Sequence, residues 1–99
     1  MGVLVVMTVP ADTAQFEAFM AANSARVEEI SESAKAAGST GHRFGLGDGQ
    51  VVAVDLWDTA EHFQEFISDP KLMATMGEMG AQGAPMVTIW EASGFPGEY

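Results

Sequence analysis

Residues 40–57 read Thr-Gly-His-Arg-Phe-Gly-Leu-Gly-Asp-Gly-Gln-Val-Val-Ala-Val-Asp-Leu-Trp. An Asp-Gly pair between two strand-like stretches signals a two-residue hairpin, because such turns need positive φ, which Gly adopts freely and Asp tolerates. With the turn at Asp48-Gly49, Leu46 falls opposite Val51, Phe44 opposite Ala53, His42 opposite Asp55 and Thr40 opposite Trp57. Side chains alternate along a strand, so these pairs share one face. Gly41 with Leu56, Arg43 with Val54 and Gly45 with Val52 share the other. Aliphatics interleaved with glycines predict that this second face packs under a helix layer. The face bearing Thr40, His42, Asp55 and Trp57 is then the one expected to border a polar-dotted cavity.

Outward from the hairpin, residues 3–9 are a continuous apolar, β-branched run, the pattern of a strand buried on both faces. After Pro10, Asp12 is an N-cap with Gln15 as its capping-box partner. Phe16, Phe19, Met20, Val27, Ile30, Ala34 and Ala37 then recur at helical spacing, predicting one long amphipathic helix over 12–37, stopped by Gly38. Asp58 and Glu61 repeat the capping pattern ahead of Ala60, Phe63, Phe66 and Ile67. Asp69-Pro70 breaks that helix and opens a short one through about Met79. Residues 85–92 make a last strand. The order β-α-β-β-α-α-β, with right-handed crossovers, predicts an α+β fold: a ferredoxin-like four-stranded antiparallel sheet with helices on one face. Residues 1–99 read as a single domain, with a core of 3–92 and a tail of 93–99. Strands apolar at both parities want cover on both faces, so the open face is expected to meet a second copy, sheet to sheet, as a dimeric α+β barrel.

Composition narrows the function. The chain has 99 residues, 14 acidic against 4 Lys plus Arg, and a formal net charge of −10. Nucleic acid and anionic membrane both demand clustered cations, so neither is expected as a partner. Yet 47% of the residues are hydrophobic, which excludes a disordered acidic tail. Without cysteine there is no disulfide, thiolate nucleophile or thiolate metal site. No secretory n-region or membrane-length apolar run stands out, and a cytoplasmic protein is the expectation. The Gly45-Leu46-Gly47-Asp48-Gly49 run joins strand to strand, so it lacks the helix N-terminus of a dinucleotide site. Two histidines twenty residues apart match no metal spacing. Neither metal nor cofactor is therefore expected.

One constellation carries acid/base chemistry. A carboxylate beside an imidazole fixes its tautomer and raises its basicity, leaving the other nitrogen to take a proton. His42 is the candidate base and Asp55 its orienting partner; a hydrogen bond that only pins strand register is the plainer reading of the same pair. Trp57, Phe44 and Thr40 are candidate cavity walls. Met73 and Met76, with Met79, offer an adaptable roof. His62, between Glu61 and Glu65, is expected to face solvent.

At Asp55-Leu56-Trp57-Asp58-Thr59-Ala60-Glu61-His62-Phe63 the chain resembles the antibiotic biosynthesis monooxygenase-like group of the dimeric α+β barrel superfamily. That group places an acidic residue, one spacer and Trp at the end of the third strand, before a polar turn into a helix. The resemblance extends loosely over 3–92 and implies the barrel fold and a homodimer. It aligns Asp55 with the family's acidic position and Trp57 with the family tryptophan, which lines the pocket in the haem-degrading branch. The haem-degrading branch needs an axial His on the later helix, where Met73, Met76 and Met79 stand here, and an Asn on the first strand, where there is none. The implied activity is a cofactor-independent monooxygenase acting on a small aromatic or polyketide-like molecule. A polyketide cyclase or isomerase using the same pair, and a non-catalytic barrel that binds a small apolar ligand or serves dimerisation, are the alternatives.

Overall fold

The computed structural model describes residues 2–99. In chain order it runs β1 (Val3–Pro10), α1 (Thr13–Ala22), α2 (Ser24–Ala37), β2 (Ser39–Leu46), β3 (Gln50–Trp57), α3 (Ala60–Ile67), α4 (Pro70–Glu78) and β4 (Met86–Glu91). The strands form one antiparallel sheet in the order β2-β3-β1-β4. This is the ferredoxin-like α+β arrangement expected from the element order. Among the described residues no helix is long and apolar enough to cross a membrane.

The hairpin closes at the expected place with Gly49 alone at positive φ, Asp48 keeping an ordinary negative φ. Gly49 takes φ 69°, and the Gly47 amide donates to the Gln50 carbonyl at 2.8 Å. The register follows: Leu46 pairs with Val51, Phe44 with Ala53 and His42 with Asp55. One expected pair fails. A bulge between Ser39 and Gly41 brings Ser39, not Thr40, opposite Trp57. Bulges insert a residue into one strand and leave it unpaired, which here is Thr40.

The expected long helix is two. Asn23, at φ −127° and ψ 36°, leaves helical geometry, and its side-chain amide donates to the Phe19 carbonyl at 3.1 Å. The apolar spacing continues across that break, so periodicity alone could not reveal it. Asp12 does cap α1, accepting from the Gln15 amide at 3.1 Å. At α3 the cap is Thr59, whose hydroxyl accepts from the His62 amide at 3.1 Å, rather than Asp58. Asp69 caps α4 with Pro70 in its first turn.

The helices cover the face opposite to the one expected. Val5, Trp57 and Phe63 form one buried cluster, with Ala34, Ala37, Phe66 and Ile67 packed against it. Ala11, Phe16 and Val51 form a second, joined by Met20 and Met79. The strand residues in both clusters belong to the parity of His42 and Asp55. The Gly41–Leu56, Arg43–Val54 and Gly45–Val52 face carries no helix layer, so Val54 and Leu56 stand 38% and 43% exposed. The glycines there make room for the neighbouring strand: a Cβ on Gly45 would lie 2.8 Å from Val52 Cγ1. Arg43, expected under the helices, lies instead on this open side by register.

Candidate active site

Between the two core clusters, under the helices, lies a cavity of about 600 Å³. Met7, Ala53 and Asp55 contribute to its sheet side, and Ile30 and Ala34 from α2 to its helical side. Of the candidate residues, Thr40, His42, Phe44, Asp55, Trp57 and Met76 all line it. Met73 does not; it sits 44% exposed, and Met79, one turn on from Met76, lines the cavity with it. The lining by α1 and α2 escaped the sequence reading because it followed from placing the helices on the other face. The usable signal was the parity shared by Val5, Val9, Val51 and Trp57.

The His42–Asp55 pair forms. Nδ1 of His42 bonds Oδ1 of Asp55 in a short contact across the two strands. A carboxylate accepts and does not donate, so Nδ1 carries the hydrogen, and in the neutral imidazole Nε2 keeps its lone pair. The Asp55 side chain is 12% exposed and that of His42 is 39% exposed. All 14 acidic residues fall among the described ones, and Asp55 alone is not exposed. Its second oxygen, Oδ2, accepts from Trp57 Nε1 at 3.2 Å. Both carboxylate oxygens are thus engaged, as a largely buried polar group requires. The His42 ring meets the edge of Phe44 at 4.4 Å between centroids, and Phe44 meets Phe16 at 5.3 Å. The imidazole stands at the half-open margin of a mainly apolar chamber. Its free nitrogen has the chemistry for proton exchange with a molecule in that chamber. Among the described residues no three His, Asp or Glu side chains gather as a metal site.

A second His–Asp pair lies outside the cavity. His62 Nδ1 meets Asp58 Oδ1 at 2.9 Å, and both side chains are about half exposed. The hydrogen bond from His62 holds the Asp58 carboxyl below its ordinary value, and that same bond raises His62 above its own, helped by the charges of Asp58, Glu65 and Glu61. The depressed Asp58 stabilises the fold above its ordinary 3.8 and loses that contribution as pH falls through its lowered value. The raised His62 stabilises it below its ordinary 6.5 and loses that contribution as pH rises through its raised value. The pair therefore contributes fully between pH 3.8 and 6.5. In an NMR titration the His62 ring protons are expected to titrate above pH 6.5 and to return toward it in Asp58→Asn. An unchanged midpoint in that variant would refute the coupling.

No protein-family model and no curated protein matches the chain. Solved structures do, and antibiotic biosynthesis monooxygenase structures are among those that share its fold. The monooxygenase from the gene ActVA-Orf6 of Streptomyces coelicolor, solved with the ligand nanaomycin D, superposes with a TM-score of 0.66 at 19% identity, covering 95% of this chain and 89% of that one. A dimeric ferredoxin-like protein from an uncultured marine organism gives 0.63 at 17% identity, over 95% of this chain and 90% of that one. SnoaB of Streptomyces nogalater, a cofactor-independent oxygenase solved as a point mutant, gives 0.55 at 16% identity, over 98% of both chains. At such identities the likeness establishes the fold.

Proposed function

We propose that this protein is a cofactor-independent monooxygenase acting on a small aromatic or polyketide-like substrate, and that it works as a homodimer. The observation that carries the reading is the His42–Asp55 pair set in the wall of an apolar cavity of about 600 Å³. That volume falls in the range of small-molecule sites, which combine apolar walls with a few placed polar groups. Two neighbours in fold support the chemistry: one a monooxygenase with an organic ligand bound, the other a cofactor-independent oxygenase.

In this reading His42 Nε2 takes a proton from an acidic C–H or O–H of the substrate. Asp55 holds the ring in the required tautomer and balances the imidazolium that forms. The deprotonated substrate is electron-rich and itself reduces O₂. For an anthrone-type substrate the ring CH₂ becomes a carbonyl; one oxygen atom enters the product and the other leaves as water. The protein supplies proton transfer, orientation by Trp57, Phe44 and Met76, and exclusion of water from the anionic intermediate. No metal or organic cofactor is required by that balance.

Oxygen uptake with an anthrone-type substrate is the test. Stoichiometric consumption of O₂ with quinone formation is the expected result. Turnover that persists under strict anaerobiosis would replace the oxygenase reading by a cyclase or isomerase using the same pair. Binding without turnover would leave a ligand-binding barrel.

The homodimer reading is supported by the uncovered sheet face and by the dimeric neighbour in fold. Leu4, Val6, Val52, Val54, Leu56 and Trp90 share that face by register.

A further inference from the structure

We propose that Trp57 is a positioning residue for the reaction as well as a wall of the cavity: its indole N–H holds the Asp55 carboxylate in the rotation that presents Oδ1 to His42. The proposal rests on the reading of His42 as the base and assigns Trp57 a part in keeping that base in its working tautomer.

The first support is how the carboxylate's bonds are divided. Oδ1 meets His42 Nδ1, and Oδ2 accepts from Trp57 Nε1 at 3.2 Å. The terminal torsion of an aspartate is broad. A carboxylate held at one oxygen can swing; one held at both by donors on opposite sides cannot. Asp55's partner on the other neighbouring strand is Val5, buried and with no side-chain donor to offer. Trp57 therefore supplies the restraint on Oδ2.

The second support is the rigidity of the donor. Trp57 is 2% exposed, among the largest fully buried side chains. Its ring is clamped by Phe63 at 5.7 Å and Phe66 at 5.4 Å between centroids. A buried indole N–H requires an acceptor, and its partner here is Asp55.

The third is backbone placement. Asp55 and Trp57 are two apart on β3 and so share a face. The bulge at Ser39–Gly41 lets β2 hold His42 opposite Asp55 while shifting what stands opposite Trp57. Order thus passes from an immobile core ring, through one carboxylate, to an imidazole 39% exposed at the cavity margin.

The test needs a change that removes the N–H and keeps the ring. In the full-length chain, β-(3-benzothienyl)alanine at position 57 does this by replacing N–H with sulfur; Trp57→Phe is the genetically simple companion. Two readouts are taken. ¹⁵N shifts of His42 report its tautomer, which is expected to be pure Nδ1–H in the wild type and mixed in both variants. With an anthrone-type substrate, kcat is expected to fall about 10- to 100-fold, the scale of a misplaced catalytic group, with KM little changed. In an Asp55→Ala background, which leaves the indole no side-chain acceptor at position 55, removal of the N–H is expected to have no further effect on the His42 tautomer, because its action passes through the carboxylate. A His42 that stays wholly in the Nδ1–H tautomer without the indole N–H would overturn the proposal, even if Trp57→Phe lowers stability or raises KM. If the wild type turns nothing over, the oxygenase reading falls, and the tautomer measurement still decides the hydrogen-bond relay.

Discussion

Replacing His42 with alanine is expected to lower turnover of an anthrone-type substrate by about 10²–10⁴-fold, the contribution typical of a positioned general base. The physical case is the geometry of a single ring. Its Nδ1 is committed to Asp55, so its chemistry is confined to Nε2. The cavity lining otherwise consists mainly of aliphatic, methionine and aromatic side chains, with few groups able to accept a proton. Alanine at this position removes a side chain already 39% exposed and lets water reach Oδ1 of Asp55, so the fold is expected to survive. Ligand affinity, followed by quenching of tryptophan fluorescence, should change little, because the apolar walls supply most of the contact. Loss of turnover with retained binding separates a catalytic imidazole from one that only pins strand register. Undiminished turnover in His42→Ala would remove His42 as the base and leave the His42–Asp55 bond as a register pin.

The legibility of this site in the sequence was uneven, and the unevenness has physical causes. The Asp48-Gly49 turn is a local signal with a backbone requirement behind it, and it alone aligned His42 with Asp55. Local signals also located the cap at Asp12 and the helix break at Asp69-Pro70, and missed the α3 cap by one residue, Thr59 standing where Asp58 was expected. Three features were not local. Asn23 interrupts the first helix without interrupting its apolar spacing, so the break is written in a backbone torsion that hydropathy does not encode. The bulge at Ser39–Gly41 moved Thr40 out of its expected pairing with Trp57, because an inserted residue near a strand end leaves no mark on the alternation farther along. The choice of covered face went wrong for the most instructive reason. Both parities of β1 and β3 are apolar, as expected for a sheet covered on each side, so hydropathy is nearly silent about which side takes the helices. Tryptophan decides it: Trp57 finds Phe63 and Phe66 on the helical side. The bond from Trp57 to Asp55 depends on side-chain rotation, and the sequence offered only the shared parity from which it grows.

The other large effect concerns the uncovered side of the sheet. Val54→Asp is expected to convert a homodimer of twice the 10.5 kDa chain mass into a monomer, raising the dissociation constant by roughly 10³-fold or more. Val54 lies on β3, with β1 on one side and β2 on the other, and points away from the helices, 38% exposed. A two-fold axis through such a face places every substitution in the interface twice, and each carboxylate taken into it carries a desolvation cost that its cross-strand neighbour Arg43 offsets only in part. The native face carries no acidic side chain among its register partners, and Arg43 is the one charged residue among them. A wider opposition comes from the whole chain: each copy bears a net charge of −10, and association brings two such chains together. Added salt screens that repulsion, so the wild-type dimer is expected to tighten as ionic strength rises, against the usual weakening of an association driven by opposite charges. Sedimentation across a salt series checks both statements. A wild-type chain that remains monomeric at tens of micromolar would leave the open face without its partner and refute the dimer. Because strand alternation puts Ala53 and Asp55 on the far side of the sheet from Val54, the monomeric variant should keep the His42–Asp55–Trp57 arrangement and its ligand affinity. A variant that loses both the dimer and the affinity would mean instead that the second copy shapes the cavity through the sheet.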